Sequence, residues 1–212
     1  MNFAGSALSH PLLVEAAEAL FHPVCVYNNA GGVDETILKS FNEPAWNNPV
    51  VRIVGADRKD LVPRMEYGEG AAGLAARMIA GYVGEPPVRG APAWLRLVAE
   101  ELSARAHGVA EAEFHVSCFW EGEVGFAAMD GVIATEAGTI DGSEIVRVVY
   151  DARRLDLEAV IRFAARSTCA KRVFVRDEET LDRVDRLGLL KSRLCESRLR
   201  RDAEPKYRLR AT

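Results

Sequence analysis

The chain has no apolar run approaching the roughly 20 residues that a membrane-crossing helix needs. Its first residues carry no basic segment leading into an apolar one, so no secretory leader is expected. Both absences make a soluble protein of the cytoplasm the expectation. An excess of one charge sign is also missing: 27 Lys and Arg stand against 31 Asp and Glu, a formal net charge of −4. That balance exerts no general pull on nucleic acid or an anionic membrane, and neither is an expected partner. Cysteine is scarce, with only Cys25, Cys118, Cys169 and Cys195. They form no CxxC and no pair at zinc-ligand spacing, so no metal and no resident cofactor is expected. A structural disulfide framework does not fit a cytoplasmic chain. Each cysteine is therefore either buried filler or a reactive thiol.

What is present divides into two halves, residues 1–107 and 108–212. In the first, Leu12, Leu13, Ala16, Ala17, Leu20 and Phe21 recur at helical spacing. Pro23–Tyr27 reads as a short buried strand with Cys25 in the core, and Pro49–Val54 as a second strand. Further helices are expected over Val33–Phe41, Gly70–Tyr82 and Pro92–Ala106. The order resembles the later part of a thioredoxin-like fold, with Asn48-Pro49 where that fold has its cis-proline. The CxxC is absent, so the resemblance implies a degenerate, docking domain. Trp46, in the preceding loop, is either an interface aromatic or a surface one.

The second half reads β-α-β-β-α-β. Glu111–Cys118 is a strand, Glu121–Met129 a short helix, and Val132–Ala137 and Glu144–Tyr150 are strands joined by Gly138–Ser143. Asp156 is placed to cap a helix over Leu157–Arg166, and Lys171–Val175 is the fourth strand. This is the split βαβ, or ferredoxin-like, plait. The expected fold class is α+β/α/β, this plait joined to a thioredoxin-like domain. Glu178–Gly188 adds a helix, Lys191–Arg201 reads as a basic, solvated helix face, and Lys206–Arg210 as an edge strand.

The run Ser117-Cys118-Phe119-Trp120-Glu121-Gly122-Glu123 lies where the first strand meets the first helix. A cysteine there faces free backbone N–H groups that favour its thiolate, the nucleophilic form. Glu123, among Phe119, Trp120 and Phe126, is a candidate acid, because burial favours the neutral carboxyl. The alternative is that Cys118-Phe119-Trp120 fills the core at a strand end.

Cys118, Phe119, Trp120 and Glu123 match the Gly-Cys-Phe-Trp-x-x-Glu motif of the A-type peptide methionine sulfoxide reductases. The likeness continues in order through Asp130-Gly131-Val132, Glu136-Ala137-Gly138 and Glu144–Asp151, so residues 112–178 resemble that family. The resemblance implies Cys118 as nucleophile, Glu123 as proton donor, and Phe119 and Trp120 as an aromatic wall for the methyl sulfoxide of a peptide or small molecule. It also implies a sulfenic acid on Cys118, resolved by a second thiol and reduced by an external thiol such as thioredoxin. Cys169 and Cys195 are the candidate resolving residues.

Several family features are changed. Ser117 replaces the motif glycine, and Thr139 stands where the family has a tyrosine. Asp141-Gly142-Ser143-Glu144 replaces a segment bearing histidine. The loop after the second helix is cut to Ser167–Ala170, removing another tyrosine and an aspartate. Tyr27, Tyr67 or Tyr82 is then needed to complete the pocket if the enzyme is fully active. Two other functions fit the same residues. One is a non-catalytic or redox-sensing paralogue that binds a partner. The other is a thiol–disulfide protein using Cys118 with Cys169. His115, in the strand before Cys118, is read as a structural histidine.

Overall fold

The computed structural model describes residues 7–44, 49–66, 68–82 and 90–202. The chain divides into two compact units, Met1–Ser103 and Ala104–Thr212. Together they form a mixed α and β protein with seven helices and a six-stranded sheet among the described residues. No helix there is long and apolar enough to cross a membrane.

The first unit is helical. It holds α1 (Pro11–Leu20), α2 (Val33–Ser40), α3 (Gly70–Gly81) and most of α4 (Ala93–His107). The apolar stripe of α1 buries Leu13 and Ala16 against Leu74, Ala75 and Met78 of α3 and Leu95 and Val98 of α4. Gly81 lets α3 approach Ile53 so closely that a Cβ there would lie 2.8 Å from its Cγ2.

No strand ladder forms among the described residues at the segments expected as strands, so the thioredoxin-like resemblance finds no sheet there to support it. Among the described residues Pro23–Tyr27 has no ladder partner, and Val24 and Tyr27 are 77% and 66% exposed. Cys25 is exposed rather than core. Pro49–Val54 is reduced to isolated bridges, Val51 with Met65 and Val54 with Asp60. A lone extended segment has too few paired backbone groups to persist as a sheet. Trp46, Asn48 and Tyr67, and the tail expected as an edge strand at 206–210, lie outside the described residues.

The second unit is built on a sheet of order β5-β4-β1-β3-β2-β6. Its strands are β1 (Val109–Val116), β2 (Val132–Ile140), β3 (Ser143–Asp151), β4 (Ala170–Val175), β5 (Lys191–Leu194) and β6 (Arg200–Arg201). All neighbours are antiparallel except β4 and β5. The helices are α5 (Phe119–Ala127), α6 (Leu157–Ser167) and α7 (Glu178–Leu187). Alternation along the strands separates two faces. Phe114, Val116, Val146, Val148 and Val173 pack under Phe126 of α5 and Val160, Ile161 and Ala164 of α6. The Asp156 carboxylate caps α6, accepting from the Ala159 N–H at 2.7 Å.

Strands β2 and β3 run further than their patterning suggests and leave only Asp141-Gly142 as the connection. Their φ values of 48° and 75° are those of a two-residue hairpin turn. The stretch 191–201 is not a helix face. It supplies β5 at one margin of the sheet and β6 at the other, and Cys195–Leu199 passes across the open face between them. There Cys195 and Leu199 bury Ile140, Ile145 and Phe174. The basic side chains point outward from edge strands, where charge deters further pairing.

Candidate functional site

Strand β1 ends at Val116, and α5 begins three residues later with Cys118 as its N-cap (φ −154°, ψ 119°). The Cys118 carbonyl accepts the Gly122 N–H at 2.9 Å, so the cysteine is tied to the first turn of the helix. Gly122 allows that turn to lie flat on the sheet: a Cβ there would sit 3.0 Å from Val116 Cγ1 and 3.1 Å from Val146 Cγ2. The Cys118 thiol is half-buried and free.

The two aromatics stand beside it. Phe119 is half-buried against the core and Trp120 is 47% exposed, with ring centroids 6.2 Å apart in an edge-on arrangement. The apolar wall expected from the sequence is thus half inside and half open to solvent. His115 lies on the opposite face of the sheet, in register with Ile145.

Glu123 turns toward β2. It is 2% exposed, and its carboxylate accepts from the Thr135 hydroxyl at 3.2 Å on β2. Burial raises its pKa, the Thr135 hydrogen bond opposes that, and Asp202 and Glu136 add to it. Thr135 pairs with Val148, whereas Thr139 pairs with Glu144 near the start of α5. Four residues of strand separate the two positions, about 13 Å.

The carboxyl at the mouth is Glu144. The Phe119 N–H, the first free donor of α5, donates to Glu144 Oε2 at 3.0 Å. In sequence, Glu144 stands out only as the first residue of the matching Glu144–Asp151 stretch, after the segment that lacks the family's histidine. The available signal was alternation: Glu144 shares the helix-facing parity of Val146 and Val148, an unusual place for an acid unless it meets a donor.

The two candidate resolving thiols part company. Cys169 follows the C-terminus of α6 and precedes β4. Its Sγ donates to the Cys118 carbonyl at 3.2 Å, while the Ser117 N–H donates to the Cys169 carbonyl at 3.2 Å. Cys195 is buried on the other face of the sheet, away from α5. Among the described residues no group of three or more His, Cys, Asp or Glu is arranged to hold a metal ion. The described tyrosines of the first unit are Tyr27, which is exposed, and Tyr82, which packs edge-on against Phe21 at 6.2 Å.

Chemically, the mouth brings together a thiol, an adjacent carboxyl, an apolar wall and a second thiol. No protein-family model matches the chain, and a search of curated proteins finds no match.

Proposed function

We propose that the second unit is a compact, plait-folded reductase of methionine sulfoxide, free or in peptides, with Cys118 as the nucleophile. The observation that carries this reading is that Cys118 is the N-cap of the same helix whose first N–H, that of Phe119, donates to the Glu144 carboxyl. The ferredoxin-like reading of the fold is supported by the order β4-β1-β3-β2 with α5 and α6 on one face.

In this reaction the Cys118 thiolate attacks the sulfoxide sulfur. The S–O bond breaks, the oxygen passes to Cys118 as a sulfenic acid, and the methyl thioether leaves with its electron pair restored. The proton that keeps the oxygen neutral during transfer comes from a carboxyl within reach. Glu123 was the acid expected from the motif. Its carboxyl lies well inside α5, so Glu144 is the better-placed donor. Phe119 and Trp120 cover the apolar side of the substrate. Cys169 then condenses with the sulfenic acid, releasing water, and an external dithiol such as thioredoxin, available in the cytoplasm, reduces the disulfide.

Turnover of a methionine sulfoxide substrate with dithiothreitol tests the assignment. Wild type should turn over, and Cys118→Ser should be inactive. Glu144→Gln should lose about a hundredfold or more in rate, the scale of general acid catalysis, and Glu123→Gln should lose less. Turnover by Cys118→Ser equal to that of wild type would sink the reading.

A second reading is favoured by the 3.2 Å contact between Cys169 Sγ and the Cys118 carbonyl. Cys118 and Cys169 then act as a thiol–disulfide couple without a sulfoxide substrate. Peroxide treatment distinguishes it: a 2 Da mass loss confined to the Cys118–Cys169 peptides, without sulfoxide turnover, favours the couple.

A further inference from the structure

Glu123 has no part in the chemistry just described, yet it is a carboxyl buried beneath a nine-residue helix. Among the described residues no lysine or arginine pairs with it, and its hydrogen bond is from the Thr135 hydroxyl at 3.2 Å. We propose that Glu123 is a positioning residue: as a neutral acid bonded to Thr135 it keeps α5 seated on β2, and its ionisation unseats the helix and displaces Cys118. The inference rests on Cys118 being the reactive thiol and not on sulfoxide being its substrate.

Three features support it. First, α5 has little play. Gly122 brings the helix within contact of Val116 and Val146, two side chains that are themselves buried. Glu123 is the next residue, so any outward movement of its carboxyl tilts the turn that carries Cys118 through the Cys118 carbonyl to Gly122 N–H bond.

Second, the charges around Glu123 are unfavourable to a carboxylate. Glu136 on β2 and Asp202 beyond β6 both act to keep its proton on. From β3, Arg147 lies on the opposite face and is committed to Glu113 and Glu136, at 3.1 and 3.2 Å. Of the two acids on β3, Glu144 is taken by the Phe119 N–H and Asp151 pairs with Arg153. From α6 the buried residues are Val160, Ile161 and Ala164, while Arg162 pairs with Glu158 at the surface. Arg201 on β6 pairs with Glu136 at 2.6 Å, and among the described residues no cation lies close enough to Glu123 to offset its charge.

Third, burial is the largest influence on the Glu123 carboxyl and favours its neutral form. Ionisation therefore comes at higher pH than for an ordinary glutamate, after the surface carboxyls have titrated. A buried carboxylate with one weak donor relaxes by moving toward water, and water lies beyond the helix.

The test is the pH dependence of Cys118 labelling in the full chain. The reagent is a dipyridyl disulfide, which reacts with thiols at acid as well as neutral pH, and labelled peptides are identified by mass. In wild type the Cys118 rate should show a second inflection besides that of the thiol itself. Glu123→Gln should remove that inflection and leave the thiol's own. A carboxyl-labelled sample gives an independent readout: the ¹³C shift of Glu123 should titrate at the same pH as the inflection. Identical Cys118 profiles in wild type and Glu123→Gln overturn the proposal. So does a Glu123 carboxyl titrating at the ordinary value near 4, a result obtained on wild type alone should the variant fail to fold. Sulfoxide turnover enters neither readout, so failure of the reductase reading is separately visible.

Discussion

The Cys118 thiol and the Glu144 carboxyl reach the same helix end from different strands, β1 and β3. Only the cysteine was recognisable from its neighbours in sequence. Cys118-Phe119-Trp120 is a contiguous run, whereas Glu144 comes to Phe119 through strand pairing 25 residues away. Glu123 illustrates the reverse. Its spacing from Cys118 is local and legible, but where a buried side chain points depends on what the sheet offers, here Thr135. Another single-residue consequence concerns Asp151. Hydrogen bonds from the Arg153 side chain and backbone outweigh its burial and hold its pKa at about 2. A depressed acid contributes stability that is present above its unfolded value near 3.8 and lost as pH falls through about 2. Asp151→Asn should therefore flatten the stability curve between pH 4 and 2, as read by urea midpoints across that range.

Helices were more legible than strands. Apart from the helix face expected at 191–201, the expected helices form within a few residues, because apolar stripes and caps such as Asp156 are properties of one segment. Asp156→Ala should cost about 1 kcal/mol, the usual worth of an N-cap, measured by denaturant unfolding. Strands need partners, and patterning alone does not supply them. That is why Pro23–Tyr27 stays exposed, while the basic stretch at 191–201 is recruited as β5 and β6. The pairing of β6 with β2 depends on Gly138: a Cβ there would lie 2.5 Å from the Arg200 carbonyl oxygen. Gly138→Ala should detach β6, seen as loss of hydrogen-exchange protection at the Asp202 N–H that now donates to the Ala137 carbonyl at 3.1 Å.

At the scale of the second unit, the open face of the sheet is tied together by charge. Arg147 meets Glu113 at 3.1 Å and Glu136 at 3.2 Å, and Arg201 meets Glu136 at 2.6 Å. Arg176 bonds Glu113 and also donates to the carbonyls of Cys195 and Ser197, both at 2.6 Å. Arg176 is thus one link between the sheet and the segment that crosses it, beside the Cys195 N–H to the Val175 carbonyl at 3.0 Å and the Ser197 hydroxyl to Asp141 at 3.0 Å. Arg176→Ala should loosen that segment and open Cys195 to alkylation under native conditions, while Cys195 in wild type stays protected. Unchanged protection would mean that Leu199, its apolar neighbours and the remaining hydrogen bonds hold the segment without Arg176.

The crossing of Cys195–Leu199 also orders events during synthesis. Both margins of the sheet are completed by one stretch of eleven residues, Lys191–Arg201, made after every other strand. Until residue 191 has left the ribosome, the outer side of β2 and the outer side of β4 are both unpaired, and the apolar trio Ile140, Ile145 and Phe174 is uncovered. A nascent chain stalled before that point presents two bare strands and a sticky face at once. It is at that stage that this domain most needs a chaperone.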